Sequence, residues 1–424
     1  MAYALLLILA VVLGTPLFAI LGAAALIGFG TSETDLSIVA IEIYRLADSP
    51  VLVSIPLFTF AGYLLSESRA SERLVALTEA LLSWAPGGLA LVSLLACAFF
   101  TALTGASGVT IIALGALLYP ALRHNGYPDR FALGLITTSG SLGLLFPPSL
   151  GLILYGVIAQ QMQTGAPVSV DAMFRAGLLP GVLMVLLLSA YAIWFDIRNP
   201  ARRSSPKRSA PWAAIRAAIW EIPLPFAIIG GIYSGVLALS EAAAATVLYV
   251  FIAECLIYRE IPLRRLPSIM CEAMVLVGAI LTILGLSLAS TTYLVDAQVP
   301  MRLFSFFREY VDSPLVFLLG LNLFLLLLGM FLDLFAALVI MVPLLLPVAI
   351  GYGIDPVHLG IIFLANMQIG YFTPPVGMNL FIAGHRFDKS ISQIYSATIP
   401  FMLVLLLALG IITYWPALSL WLVR

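Results

Sequence analysis

The sequence predicts an all-α polytopic membrane protein built as two inverted repeats, each with a re-entrant hairpin and a broken transmembrane helix. Three observations lead there. Of the 424 residues, 62% are hydrophobic and only 10% charged, with a mean hydropathy of +1.10, which excludes an ordinary soluble domain. A long apolar stretch broken near its middle occurs twice, as GLITTSGSLGLLFPPSLGLILYG at 134–156 and IIFLANMQIGYFTPPVGMNLFIAG at 361–384. The basic residues, finally, gather on the loops of one side.

Pro147-Pro148 and Pro374-Pro375 lie 227 residues apart, and the same offset carries Pro120 onto Pro347 and Gly126 onto Gly353. A double proline removes backbone donors and clashes with the preceding turn, so neither stretch is one continuous helix. Matching interruptions in two halves of a membrane chain point to a binding site near mid-membrane.

A span needs about 20 apolar residues. That rule gives crossings at roughly 3–29, 42–66, 131–160, 172–195, 217–238, 242–258, 268–292, 357–384 and 393–418. The first has no basic start and is too long for a cleaved signal peptide, so it reads as a retained span. Residues 80–122 carry no charge yet have no polar loop between two crossings, and in 313–354 Asp333 is the sole charge. Each reads as a hairpin whose tip stops at mid-membrane, over 85–122 and 314–350. Irregular backbone at that depth is tolerated only inside protein or along a cavity. SERLVALTEALLSW (71–84) and MRLFSFFREYV (301–311) precede the hairpins and read as amphipathic helices on the membrane surface.

With a cytoplasmic N-terminus, 15 of the 20 Lys and Arg face inside, including the run from Arg198 to Arg216. The reverse orientation fails the positive-inside rule. The C-terminus then lies outside. Each half has four crossings and a hairpin, so the extra span at 217–238 inverts the second. The organisation is therefore a first repeat at 1–195 (broken helix 131–160), a basic linker plus inverting span at 196–241, and a second repeat at 242–424 (broken helix 357–384).

Cys97, Cys255 and Cys271 form neither a disulfide framework nor a zinc pattern. No phosphate-cradling loop and no basic-aromatic nucleic-acid surface is present. Asp333, in GMFLDLF, is the strongest single candidate, because an intramembrane carboxylate costs about 2.5–3.5 kcal/mol and marks function by default. It reads as a cation ligand, with a helix cap as the bland alternative. The first tip, TGASGVT (104–110), offers hydroxyls of Ser107 and Thr110 and backbone freed by Gly105 and Gly108. Such oxygens suit a hard cation; close helix packing is the other reading. Thr137, Thr138, Ser139, Gly140 and Ser141 precede the first Pro-Pro. Asn366, Gln368, Gly370 and Thr373 precede the second, with Asn379 after it. The GASG segment also fits the pattern of intramembrane serine proteases with Ser107 as nucleophile, but His124, His358 and His385 all lie at segment ends, away from a base's place.

Taken together, PLFTFAGYLLSESRASERL (56–74), GASG, NGYPDRFA, the PPS segment, GMFLD and TPPVGMN resemble the large membrane subunit of tripartite ATP-independent periplasmic (TRAP) transporters. The likeness runs from about residue 3 to the C-terminus. It implies a sodium-driven secondary importer of organic acids such as C4-dicarboxylates or sialic acid, in a bacterial inner membrane, working by an elevator motion. It implies two separate partners, a small four-helix membrane subunit and a periplasmic substrate-binding protein, and at least two Na+ sites. Carried over by motif, the first Na+ site falls on Gly105, Ser107, Thr138 and Ser139, and the second on Asp333, Gly370 and Thr373. Thr110, Ser141, Asn366 and Asn379 are then expected to face the substrate. The first tip departs from common family sequences at Val109, where a further serine often stands. A stand-alone sodium/dicarboxylate symporter of the same superfamily is the nearest rival, separated by whether a binding protein is needed.

Overall fold

The computed structural model describes residues 7, 9–10, 13–32, 34–47, 50–82, 87–162, 168–198 and 211–423, and these are helical with no strand among them. The N-terminal part contains α1 (Leu17–Thr31), α2 (Ser37–Ala47), α3 (Ser54–Glu67, entered through a 3-10 turn at Pro50–Val53) and α4 (Ala70–Leu82). Here two expected spans are corrected. The stretch 3–29 is interrupted at Leu13–Gly14, where Gly14 turns with φ 75°, and Pro16 then starts α1; residues 1–6, 8, 11 and 12 lie outside the described set. The stretch 42–66 is divided between α2 and α3, since Pro50 cannot continue a helix from Ala47. The segment Val51–Glu67 meets α4 at 74°, so α4 runs across α3 and not on from it.

The charge-free run that follows folds as α5 (Gly88–Thr104) and α6 (Ser107–His124). Next come α7 (Asp129–Ser139), a 3-10 turn at Leu142–Leu145 and α8 (Leu150–Gln161), bent by 40° across the break. A long helix, α9 (Val170–Arg198), completes this half. Then comes α10 (Pro211–Ala217), and α11 (Pro223–Tyr233) is the helix that stands where an inverting span over 217–238 was expected. The 11 residues of α11 reach only about 16 Å, less than a bilayer core. Prolines in its first turn set its start, and Gly235, at φ 72°, turns the chain after it.

The rest comprises α12 (Leu239–Phe251, running into a π-helical turn at Ile252–Ile257), α13 (Leu266–Asp296), α14 (Val299–Tyr310), α15 (Pro314–Phe331), α16 (Leu334–Gly351), α17 (Pro356–Gly370), α18 (Met378–Phe387), α19 (Ile391–Tyr414) and α20 (Ala417–Leu420). The offset of 227 carries α6, from Ser107 to His124, onto α16, from Leu334 to Gly351. Six helices are long and apolar enough to cross a membrane, and the two bent pairs bring the number to eight among the described residues. Both Pro-Pro bonds are cis.

Packing distinguishes two groups of helices, which meet where α3 lies on α5 and α13 on α16. In one, α1, α2 and α3 lie on α13, with α12 on α3. The other wraps α5–α9 and α15–α20 around the two breaks, where α7, α8 and α17 are buried almost along their whole length. A helix buried on every side belongs at a protein's centre, not at its lipid face.

Candidate translocation site

The site is built where helices stop. Gly105 ends α5 in the left-handed region (φ 68°), a conformation that costs a side chain but not glycine. A Cβ there would sit 2.7 Å from Leu150, so the first tip lies against the start of α8. Ser107 starts α6, and its hydroxyl donates to Asn379 Oδ1 at 2.9 Å, on the first turn of α18. At the second tip Leu334 starts α16; its N–H donates to the Tyr371 hydroxyl at 2.7 Å, and its side chain lies over Gly151 of α8. The starts of α18, α6, α8 and α16 are therefore linked by direct contacts. The breaks also meet: the Ser141 hydroxyl donates to the Gln368 carbonyl at 3.1 Å, across 227 residues.

Helix starts carry partial positive charge and unpaired N–H groups, and helix ends carry carbonyls. Gathering four starts therefore favours an anion without any arginine, while the ends of α5, α7, α15 and α17 bring carbonyl oxygen to the same breaks. Each half-helix pair supplies one end of each sign.

The expected site residues divide into those facing this junction and those turned away. Ser107 and Asn379 meet, and Asn379 Nδ2 is buried with no partner among the described residues, a donor left for an acceptor. Asp333 caps α16: its Oδ2 accepts from Phe335 N at 3.1 Å and Ala336 N at 3.3 Å, leaving Oδ1 unengaged among the described residues. Thr373 donates to the Ile369 carbonyl at 2.8 Å and shares no hydrogen bond with Asp333. Gly370 is needed for closeness, because a Cβ there would come within 2.7 Å of the Gly329 backbone. Thr138 and Ser139 turn their hydroxyls back into their own helix, to Gly134 at 2.8 Å and Ile136 at 3.3 Å. Helical hydroxyls commonly satisfy themselves this way, so these two offer their lone pairs and not their protons.

Thr110 meets Thr101 at 2.7 Å. Thr101 gives its own proton to the Gly140 carbonyl at 2.8 Å, so the first tip is tied to the first break. Asn366 points elsewhere, donating to Asn322 Oδ1 at 2.6 Å, with Asn322 in turn on Thr413 at 3.0 Å. Asn322 meets the Thr413 hydroxyl, while the Thr413 backbone carbonyl accepts from His358 Nε2 at 3.2 Å. Asn366 Oδ1 and Gln368 Oε1 are buried without partners among the described residues. The partner of Ser107 is an amide oxygen, which cannot take up its proton, and His358 is occupied by Thr413 and Ser419.

Sequence reasoning passes over Asn322, Tyr371 and Thr413, and reads Thr101 only as a polar residue interrupting the charge-free run. Asn322 did carry a signal, as the only amide in the apolar run of α15. Nothing local marks Tyr371 or Thr413, whose roles depend on helices far along the chain.

A family model described as the tripartite ATP-independent periplasmic transporter DctM component matches residues 1–418. The C4-dicarboxylate TRAP transporter large permease protein DctM of Rhodobacter capsulatus is 33% identical over 402 residues, covering 92% of this chain and 91% of its own. The sialic acid TRAP transporter permease protein SiaT of Haemophilus influenzae is 32% identical over 95% of this chain and 65% of its own length. Among solved structures, the Alcanivorax borkumensis YdaH transporter superposes with a TM-score of 0.60 at 15% identity, over 91% of this chain and 87% of that one, a likeness of fold. The match along nearly the whole chain, with several large permeases alike at about a third identity, makes this chain a member of the family of TRAP transporter large permeases, multi-pass membrane transport proteins.

Proposed function

We propose that the chain is the translocating subunit of a sodium-coupled importer of organic acids. It receives substrate from a periplasmic binding protein and works with a small four-helix membrane subunit in the bacterial inner membrane, its N-terminus cytoplasmic and its C-terminus periplasmic. The observation that carries this reading is the meeting of four helix starts at the two tips and two breaks, with the unpaired Asn379 donor beside Ser107. An anionic substrate is favoured by the helix dipoles, and Na+ by carbonyl ends, hydroxyl lone pairs and the free Oδ1 of Asp333. Two hairpins entering from opposite faces would let the inner group of helices carry this site past the α1–α3, α12 and α13 bundle, as an elevator. The relatives' names span C4-dicarboxylate, isethionate, ectoine and sialic acid, so the substrate of this chain belongs to that polar class and is selected chiefly by the binding protein.

Proteoliposomes holding the chain and its small partner test the proposal with a panel of labelled carboxylates. Uptake should require inward sodium and the cognate binding protein. Equal uptake with potassium, or without the binding protein, would sink it.

A further inference from the structure

One ionic cluster lies outside the translocation site. Arg73, on α4, directs its Nε to Glu221 and Nη1 to Glu260, and Nη2 donates to both Glu254 oxygens at 2.8 and 2.9 Å. The Tyr258 ring covers its other face, 3.9 Å from the guanidinium carbon. The Arg69 N–H adds a bond to Glu260 at 2.7 Å. Side-chain exposure is 10% for Arg73, 3% for Glu221 and 1% for Glu254. The carboxylates come from the turn before α11, which packs on α12, and from the π-helical end of α12 and the residues after it, so all three ride with the α1–α3, α12 and α13 bundle. The π turn inserts an extra residue, which re-aims Glu254.

Helix α4 touches both groups of helices. Towards the hairpin α4 lies along α5, with Leu74 buried in the apolar core. Towards the bundle it presents Arg73. The two contacts differ in kind. Apolar faces slide past one another at small cost, as in shear motions. A guanidinium holding three carboxylates has fixed directions, and pulling it out strands two buried acids, Glu221 and Glu254, beside the half-buried Glu260. In the second repeat the offset of 227 places Pro300 where Arg73 stands, and no ion pair holds α14 among the described residues.

Resting on the two-group motion of the proposed function, we propose that Arg73 is an anchor. It keeps α4 with the bundle throughout the transport cycle, so the hairpin slides along α4 and does not carry it. The anchor is one-sided, because α14 lacks its counterpart. Arg73 is thus a positioning residue for transport, remote from the substrate.

Spin-label distances in a variant without native cysteines, in lipid nanodiscs with the small subunit, test this. One pair, Ala76→Cys and Leu256→Cys, spans α4 and the bundle; the other, Val275→Cys and Leu403→Cys, spans the bundle and α19. The expected result, in sodium and in potassium, is two populations for 275–403 and one for 76–256. Two populations for 76–256 that follow those of 275–403 would overturn the anchor. A single 275–403 distance everywhere would instead remove the two-group motion, and the anchor would then rest on Arg73→Gln. That change should at least double the width of the 76–256 distribution, and an unchanged width refutes the anchor. Should Arg73→Gln fail to insert, Arg73→Lys keeps the charge without the fork, and an unchanged width there refutes it equally.

Discussion

Asp333→Asn separates the two roles the structure allows this residue. The carboxylate caps α16 through Oδ2, with bonds of 3.1 and 3.3 Å to two backbone N–H groups. Asparagine caps helices about as well as aspartate, so folding should survive the change. What disappears is the negative charge. A unit charge 4 Å from a sodium ion is worth about 1 kcal/mol in water and about 4 kcal/mol at an effective dielectric of 20. Since about 1.4 kcal/mol is tenfold, the half-saturating sodium concentration should rise at least about fivefold. Uptake at fixed substrate, titrated with sodium from low millimolar to molar, reads this directly. Asp333→Ala provides the control for the cap, which it removes at a cost of about 0.5–2 kcal/mol. If Asp333→Asn transports with unaltered sodium dependence while Asp333→Ala loses stability, Asp333 is a cap and no cation ligand.

Further outcomes follow from the same geometry. Thr373→Val should shift the sodium dependence in the same direction but less, since one neutral oxygen is lost and the Ile369 bond with it; a larger shift than Asp333→Asn contradicts the assignment. Ser107→Ala leaves both ends of the buried Asn379 amide unpaired, at about 1–3 kcal/mol, and should raise the substrate KM several-fold while leaving membrane insertion intact. Gly370→Ala places a methyl against the Gly329 backbone and should lower thermal stability by about 1–3 kcal/mol, whereas Gly410→Ala, with nothing within 4 Å, should not. Cysteines at Arg123 and Asp312 should react with an impermeant maleimide from the cytoplasm and the periplasm respectively; reaction of both from one side contradicts the inverted orientation of the hairpins.

What the sequence determined by itself is where the chain breaks. Glycine, paired prolines and lone polar residues interrupt apolar runs through local backbone physics, so the first tip at Gly105, the second at Leu332–Asp333 and the two Pro-Pro breaks could be read without a fold. Residue types raised two readings of Asp333, a cation ligand or a cap, and the cap is visible directly. Weak local signals failed where a proline or glycine divided a run of otherwise sufficient hydropathy, as at Pro16, Pro50 and Pro223. Tertiary structure alone decided which side chains share a space. Ser107 finds Asn379 across 272 residues, Asn366 turns to Asn322 and Thr413, and Thr138 and Ser139 bond back into their own helix. The direction of a side chain around a helix that is buried on every side leaves no trace in hydropathy, because no face is polar. It is set by which neighbouring helix brings the matching donor or acceptor, and that neighbour comes from the other half of the chain.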